Sequence, residues 1–210
     1  LRVAICEQVE DPKQAIGLVK RDVVEVATPG SAMSEQFLNA KESNFLVCIY
    51  GQGENTGLSF IDVSTGKFGV LELKEKQLSS FLAGLMPREI LLAEDDTTTE
   101  SLIGQGKWMI SRVESWVFNI DFATNELNKK FQTLSLKGFG IRNLSRGTSA
   151  AGAILYYLQS YQGRNLSHIT GIQNLNADDW MTLDDDSLRN LELFQSLRGG
   201  SEGTVISILD

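Results

Sequence analysis

Apolar residues recur along this chain with two periods. Asn44 to Tyr50 is a continuous apolar run, the pattern of a strand buried on both faces, and Glu89 to Ala93 repeats it in shorter form. Gly57 to Val63 and Lys67 to Leu73, separated by Ser64-Thr65-Gly66, read as antiparallel neighbours joined by a short hairpin loop. Spacings of three and four take over at Lys76 to Met86, where Leu78, Phe81, Leu82 and Leu85 form one stripe and Pro87 stops the helix. Thr97 to Thr99 are positioned to cap a short helix running to Gly104. A strand near Trp108 to Val113 precedes a helix from Asp121 to Phe131, with Asp121 as the expected N-cap and Ile120, Ala123, Leu127 and Phe131 as the inward stripe. A last helix, Ser149 to Tyr161, carries Ile154, Leu155, Leu158 and Tyr161 on one side and has Gly163 beyond its end. Leading strands followed by helices alternating with strands predict an α/β domain with a mixed sheet and flanking helices over residues 31–163.

The flanks are less complete. In residues 1–30, "VAICEQ" reads as a buried strand, "EDPKQAIGLVKR" as a polar turn, and "DVVEVAT" as an alternating strand stopped by Pro29-Gly30. Two strands and a connector cannot bury their own faces, so this stretch is expected to be the tail of another domain. Residues 164–185 have no sustained period and read as a linker with one short strand. In residues 186–210, "DDDSLRNLELFQSLRGG" predicts a helix with acids at its positive end, a stripe of Leu188, Leu191, Phe194 and Leu197, and a stop at Arg198-Gly199. A new apolar run opens at Thr204, as expected of a piece of a larger protein.

Composition narrows the function. The 210 residues carry a net charge of -8, which argues against a surface built mainly to grip a phosphate backbone. The tight basic clusters, "VKR" at 19–21 and "NKK" at 128–130, read as solvated surface. No apolar run approaches a membrane span and no signal peptide is evident, so a soluble, cytoplasmic protein is expected. Cys6 and Cys48 sit in apolar strands and read as buried free thiols, and His168 is the sole histidine, which argues against a zinc site.

Several motifs in one order carry a resemblance. "VAICEQVEDPKQAIGLVKRDVVEVATPG" resembles the close of the mismatch-recognition domain of MutS proteins. "FIDVSTGKF", "PREILLAED", "LKGFGI" and "AAGAILYYL" resemble the connector domain, and "LDDDSLRNLELFQSLRGGSEGTVISILD" the start of the lever and core domain. The resemblance implies a ribonuclease H-like fold for the connector. It implies a parent that serves DNA mismatch repair and the DNA damage response: a homodimeric clamp that binds mismatched double-stranded DNA and uses ATP and Mg²⁺ to signal to MutL. The family's Phe-x-Glu mismatch wedge is not present after Leu1, and no G-x-x-x-x-G-K-[ST] phosphate loop occurs, so neither ATP hydrolysis, a cofactor nor a catalytic residue is expected in this stretch.

Two chemistries compete for the connector. A ribonuclease H-like nuclease would need carboxylates converging on Mg²⁺, with Asp62 and then Glu94, Asp95 and Asp121 as candidates. Asp62 has no second acid beside it and reads better as a pin for its hairpin turn. The resemblance instead implies a docking surface for MutL. Opposite the expected inward stripe, Phe122, Asn125, Glu126 and Lys129 point outward or to the flanks, an aromatic ringed by polar groups as in interface hot spots. Trp116 and Trp180 follow acidic residues and read as packing residues rather than base-stacking platforms, and His168 as a satisfied loop residue. Lys20 and Arg21 are the candidates for non-specific DNA contact.

Overall fold

A computed structural model of the chain describes residues 3–10, 19–31, 44–51, 55–103, 106, 108–141, 143–161, 166–176, 185–193, 196–197, 199–200 and 202–209. The first strands, β1 (Val3–Gln8) and β2 (Arg21–Ala27), form an antiparallel ribbon with a bulge between Ile5 and Cys6. A six-stranded sheet follows. β3 (Phe45–Tyr50), β4 (Thr56–Asp62) and β5 (Lys67–Leu73) run antiparallel, and β6 (Glu89–Ala93) and β7 (Met109–Val113) continue from β3 in parallel. β8 (Gln173–Asn174) pairs parallel with β5, giving the order β7-β6-β3-β4-β5-β8.

Helices cover both faces of this sheet. Because side chains alternate along a strand, Leu46 and Cys48 of β3 join a core with Leu127 of α3 (Ile120–Phe131) and Ala150, Ala151 and Ile154 of α4 (Ser145–Tyr156). Phe45, Val47 and Ile49 turn the other way, onto Leu78 and Leu82 of α1 (Glu75–Leu85) and Ile103 of α2 (Thr98–Ile103). Burial on both sides is why β3 is apolar without interruption. Beyond the expected end of the domain, Leu166, Ile169 and Ile172 are also buried in the α3–α4 core.

Asp62 has the turn role expected of it. Its Oδ1 accepts the Ser64 N–H (2.9 Å), the Ser64 hydroxyl (2.6 Å) and the Thr65 N–H (3.3 Å), and its Oδ2 accepts the Asn44 N–H (3.4 Å). Short polar side chains commonly close turns this way.

The structure corrects several expectations. All six residues of β1 are exposed, because a two-stranded ribbon cannot bury its own faces and no second layer covers it among the described residues. Cys6 is therefore exposed, whereas Cys48 is buried and desolvation pushes its thiol well above the ordinary range. The cap of α3 is Asn119, not Asp121, and Asp96 rather than a threonine hydroxyl holds the start of α2, accepting the Thr99 N–H (2.9 Å) and hydroxyl (2.6 Å). α4 begins at Ser145, four residues before the expected Ser149, and passes through a π-helical turn over Tyr157–Tyr161. The predicted helix over 186–197 is only α5 (Asp185–Asn190): Glu192 turns left-handed at φ 47°, and Leu191 and Leu197, the two stripe residues whose side chains are described, are exposed. A short helix, α6 (Val205–Leu209), follows with its apolar side chains exposed. The expected linker helix-free stretch around Trp180, the side chains of Leu188 and Phe194, and the start of the middle region near Ser34 lie outside the described residues.

Candidate functional site

Helix α3 is held from three sides. At its start the Asn119 Oδ1 accepts the N–H groups of Asp121 (2.9 Å) and Phe122 (3.1 Å), satisfying two otherwise orphaned donors. Along its length Ala123 and Leu127 are buried against α4, and a Cβ on Gly152 of α4 would fall 2.4 Å from that of Ala123, so the two helices meet at backbone distance. Near its end the Lys130 ammonium donates to the Leu166 carbonyl, and desolvation lowers its pKa. Lys130 is thus a tie to the following segment rather than the solvated surface expected of the "NKK" cluster.

This fixed frame presents one face. Phe122, Asn125, Glu126 and Lys129 are spaced three, four and seven positions apart and so share a side of the helix. Asn125 and Lys129 are exposed, and Lys129 Nζ pairs with the Glu126 carboxylate at 2.7 Å. Phe122 is not a lone outward ring. It is half-buried at the edge of the core and meets Trp116 edge-on (ring centroids 5.0 Å apart, planes at 72°) and Tyr156 likewise (5.6 Å, 78°), while Trp116 and Tyr156 touch each other at 5.3 Å. Ile120, expected on the inward stripe, is 39% exposed at the first position of α3, and the inward contacts begin at Ala123. Trp116 is 52% exposed, so it is a surface ring as much as a packing residue. Tyr156 was not expected in this face; the signal for it is that Tyr156 and Trp116 fall off every predicted core stripe.

The nuclease candidates do not come together. Asp62 is spent on its turn, Glu94 and Asp95 are exposed in the loop after β6, where Asp95 accepts the Ser115 hydroxyl, and Asp121 is exposed at the start of α3. Among the described residues no three His, Cys, Asp or Glu side chains are grouped as a metal site. His168 hydrogen-bonds through Nε2 to the Val63 carbonyl (2.7 Å), a satisfied loop residue. Lys20 and Arg21 are exposed at the start of β2. No helix among the described residues is long and apolar enough to cross a membrane.

What the fold defines is a mixed α/β domain that carries, at the start of α3, a cluster of three rings beside an exposed ion pair. Residues 44–170 match the family described as MutS domain II, and residues 1–36 that described as MutS domain I. Over 219 residues the chain is 43% identical to the DNA mismatch repair protein MutS of Salinibacter ruber, covering 100% of this chain and 24% of that relative. It is 41% identical over 210 residues to the protein of the same name from Flavobacterium psychrophilum, and 39% identical over 209 residues to that of Parabacteroides distasonis, with the same coverage. The chain belongs to the MutS family. It spans about a quarter of the length of these curated relatives.

Proposed function

We propose that this chain serves DNA mismatch repair as a connector: it joins the end of a mismatch-recognition domain to the rest of a MutS protein and offers MutL a docking face on α3. On this reading the parent is a homodimer that binds mismatched double-stranded DNA, and ATP and Mg²⁺ act elsewhere in it. The observation that carries the reading is the α3 face itself. Three mutually packed rings (Trp116, Phe122 and Tyr156) adjoin Asn125 and the Glu126–Lys129 pair, and rings already held in place lose little freedom when a partner covers them. We also read the sheet as ribonuclease H-like. In support, its first strand is central, the second and third lie antiparallel on one side, and the fourth and fifth lie parallel on the other. The spent Asp62 and scattered acids favour docking over nuclease chemistry.

Calorimetric titration of this chain with the N-terminal ATPase half of the cognate MutL tests the proposal. Binding by the wild type, abolished by Asn125→Lys with Glu126→Lys and weakened about tenfold or more by Trp116→Ala, is the expected result. Binding that survives the charge substitutions overturns the assigned face. No binding by the wild type overturns docking by this chain.

A further inference from the structure

Glu89 opens β6 with a fully buried side chain, and four elements meet on it. Its Oε1 accepts the hydroxyl of Ser111 on β7 (2.5 Å) and that of Tyr157 at the end of α4 (2.7 Å). Its Oε2 accepts the Gly30 N–H at 3.1 Å. No lysine or arginine among the described residues pairs with it. A buried carboxyl without a cation is costly unless hydrogen bonds fill its acceptors, so these donors are what makes the position tenable.

Gly30 belongs to a compact turn directly after β2. Ser31 N–H donates to the Thr28 carbonyl (3.2 Å), Thr28 N–H donates to Ser31 Oγ (3.2 Å), and the two hydroxyls lie 2.8 Å apart. Both residues are buried. A Cβ on Gly30 would sit 2.6 Å from Glu89 Cβ and 3.2 Å from Leu46 Cα, so only glycine allows this approach. By contrast every residue of β1 is exposed. The turn lies within the domain I match, and Glu89, Ser111 and Tyr157 lie within the domain II match.

We propose that Gly30 and Glu89 form a fixed joint between the β1–β2 ribbon and the connector sheet. The joint sets the direction in which the ribbon leaves the sheet, and through one carboxyl it carries a displacement of the ribbon to β6, β7 and the end of α4. Glu89 is a positioning residue here, and the inference stands apart from MutL docking.

The joint is tested by spin labels on this chain. Cys6 is exposed and Cys48 is buried, so a thiol label takes the ribbon and spares the core; a second label goes on Glu75→Cys, exposed at the start of α1. Pulsed electron–electron distance measurement is expected to give one narrow distribution. Gly30→Ala, which has no room for its methyl, and Glu89→Gln, which turns an amide N–H toward that of Gly30 or toward the hydroxyl donors, are each expected to lose the narrow peak. Tyr157→Phe removes a donor to Glu89 without touching Gly30 and should keep it. A narrow peak in both joint variants, equal broadening by Tyr157→Phe, or a broad distribution in the parent chain overturns the proposal. Circular dichroism melting of each variant identifies one that has lost its core, and the other joint variant then decides.

Discussion

Strands β1 and β3 are nearly the same sentence with different outcomes. Each has six residues, VAICEQ and FLVCIY, and each places a cysteine in its fourth position. In β1 all six residues are exposed, while in β3 the first five are buried and Cys48 is at 0% exposure. Strand propensity set the backbone in both cases. Burial was decided by what lies over the strand: β3 has a paired neighbour on each edge and a helical layer on each face, and among the described residues β1 has β2 alone. An apolar run therefore announces a strand but not a core, and the contrast can be pressed quantitatively. Leu46→Ala should lower unfolding free energy by about 2–5 kcal/mol, because the cavity opens between packed layers. Ile5→Ala, at a residue 40% exposed, should cost under about 1 kcal/mol. Urea unfolding of the two variants checks this, and equal losses would break the comparison.

The two thiols sharpen it further. Burial holds the Cys48 thiol protonated well above its ordinary range in the folded chain. A group with a raised folded pKa contributes stability that is intact below its unfolded pKa and is lost as pH climbs above it. The stability difference between wild type and Cys48→Ala should therefore hold from pH 6 to about 8.5 and then shrink, by at most about 1.4 kcal/mol per pH unit. Urea midpoints across that range measure it. A disulfide reagent at pH 8 should titrate one thiol, Cys6, in the native chain and both thiols after unfolding.

A smaller effect probes how the sheet supports its helices. α4 starts at Leu144, a cap with no polar side chain to offer, and the sheet supplies one instead: Glu72 Oε1 accepts the N–H groups of Arg146 (2.7 Å) and Gly147 (3.1 Å). Glu72→Ala should cost about 1–2 kcal/mol, and Glu72→Gln, which keeps an acceptor, less. Chemical denaturation of the pair separates capping from simple packing of the side chain.

Much of the sheet was legible because its signals are local. β5 and β6 begin and end where periodicity put them, α1 lies within a residue of its prediction, and Asp62 sits in the turn its neighbours implied. The caps were not, since Asn119 and Asp96 act from just outside the apolar pattern and compete with equally suitable Asp121 and Thr97. α5 is shorter than its pattern predicted: Leu191 and Leu197 are exposed, and apolar spacing alone does not sustain further turns in water. Within the candidate site, the face of Asn125, Glu126 and Lys129 followed from helical spacing alone. The ring cluster did not, because Tyr156 reaches Trp116 and Phe122 only through the close α3–α4 crossing at Gly152 and Ala123. The burial of the Glu89 strand followed from its apolar run, but the partners of its carboxyl did not, because Ser111, Tyr157 and Gly30 reach it from three separate parts of the chain.

The smallest expected change in stability divides helix α3 itself. Lys129 is exposed and its pairing with Glu126 spans one helical turn, so Lys129→Ala should move unfolding by no more than about 0.5 kcal/mol. Leu127, two residues away and fully buried, should cost about 2–5 kcal/mol when cut to alanine. On the docking proposal the order reverses for MutL: Lys129→Ala weakens the calorimetric titration although the fold is unchanged. Unfolding and titration of the two variants thus separate what the helix does for the core from what it offers a partner. A loss of stability in Lys129→Ala comparable to that in Leu127→Ala would mean that the exposed face is structural, and the distinction between covered and uncovered surfaces would fail at the place where it bears on function.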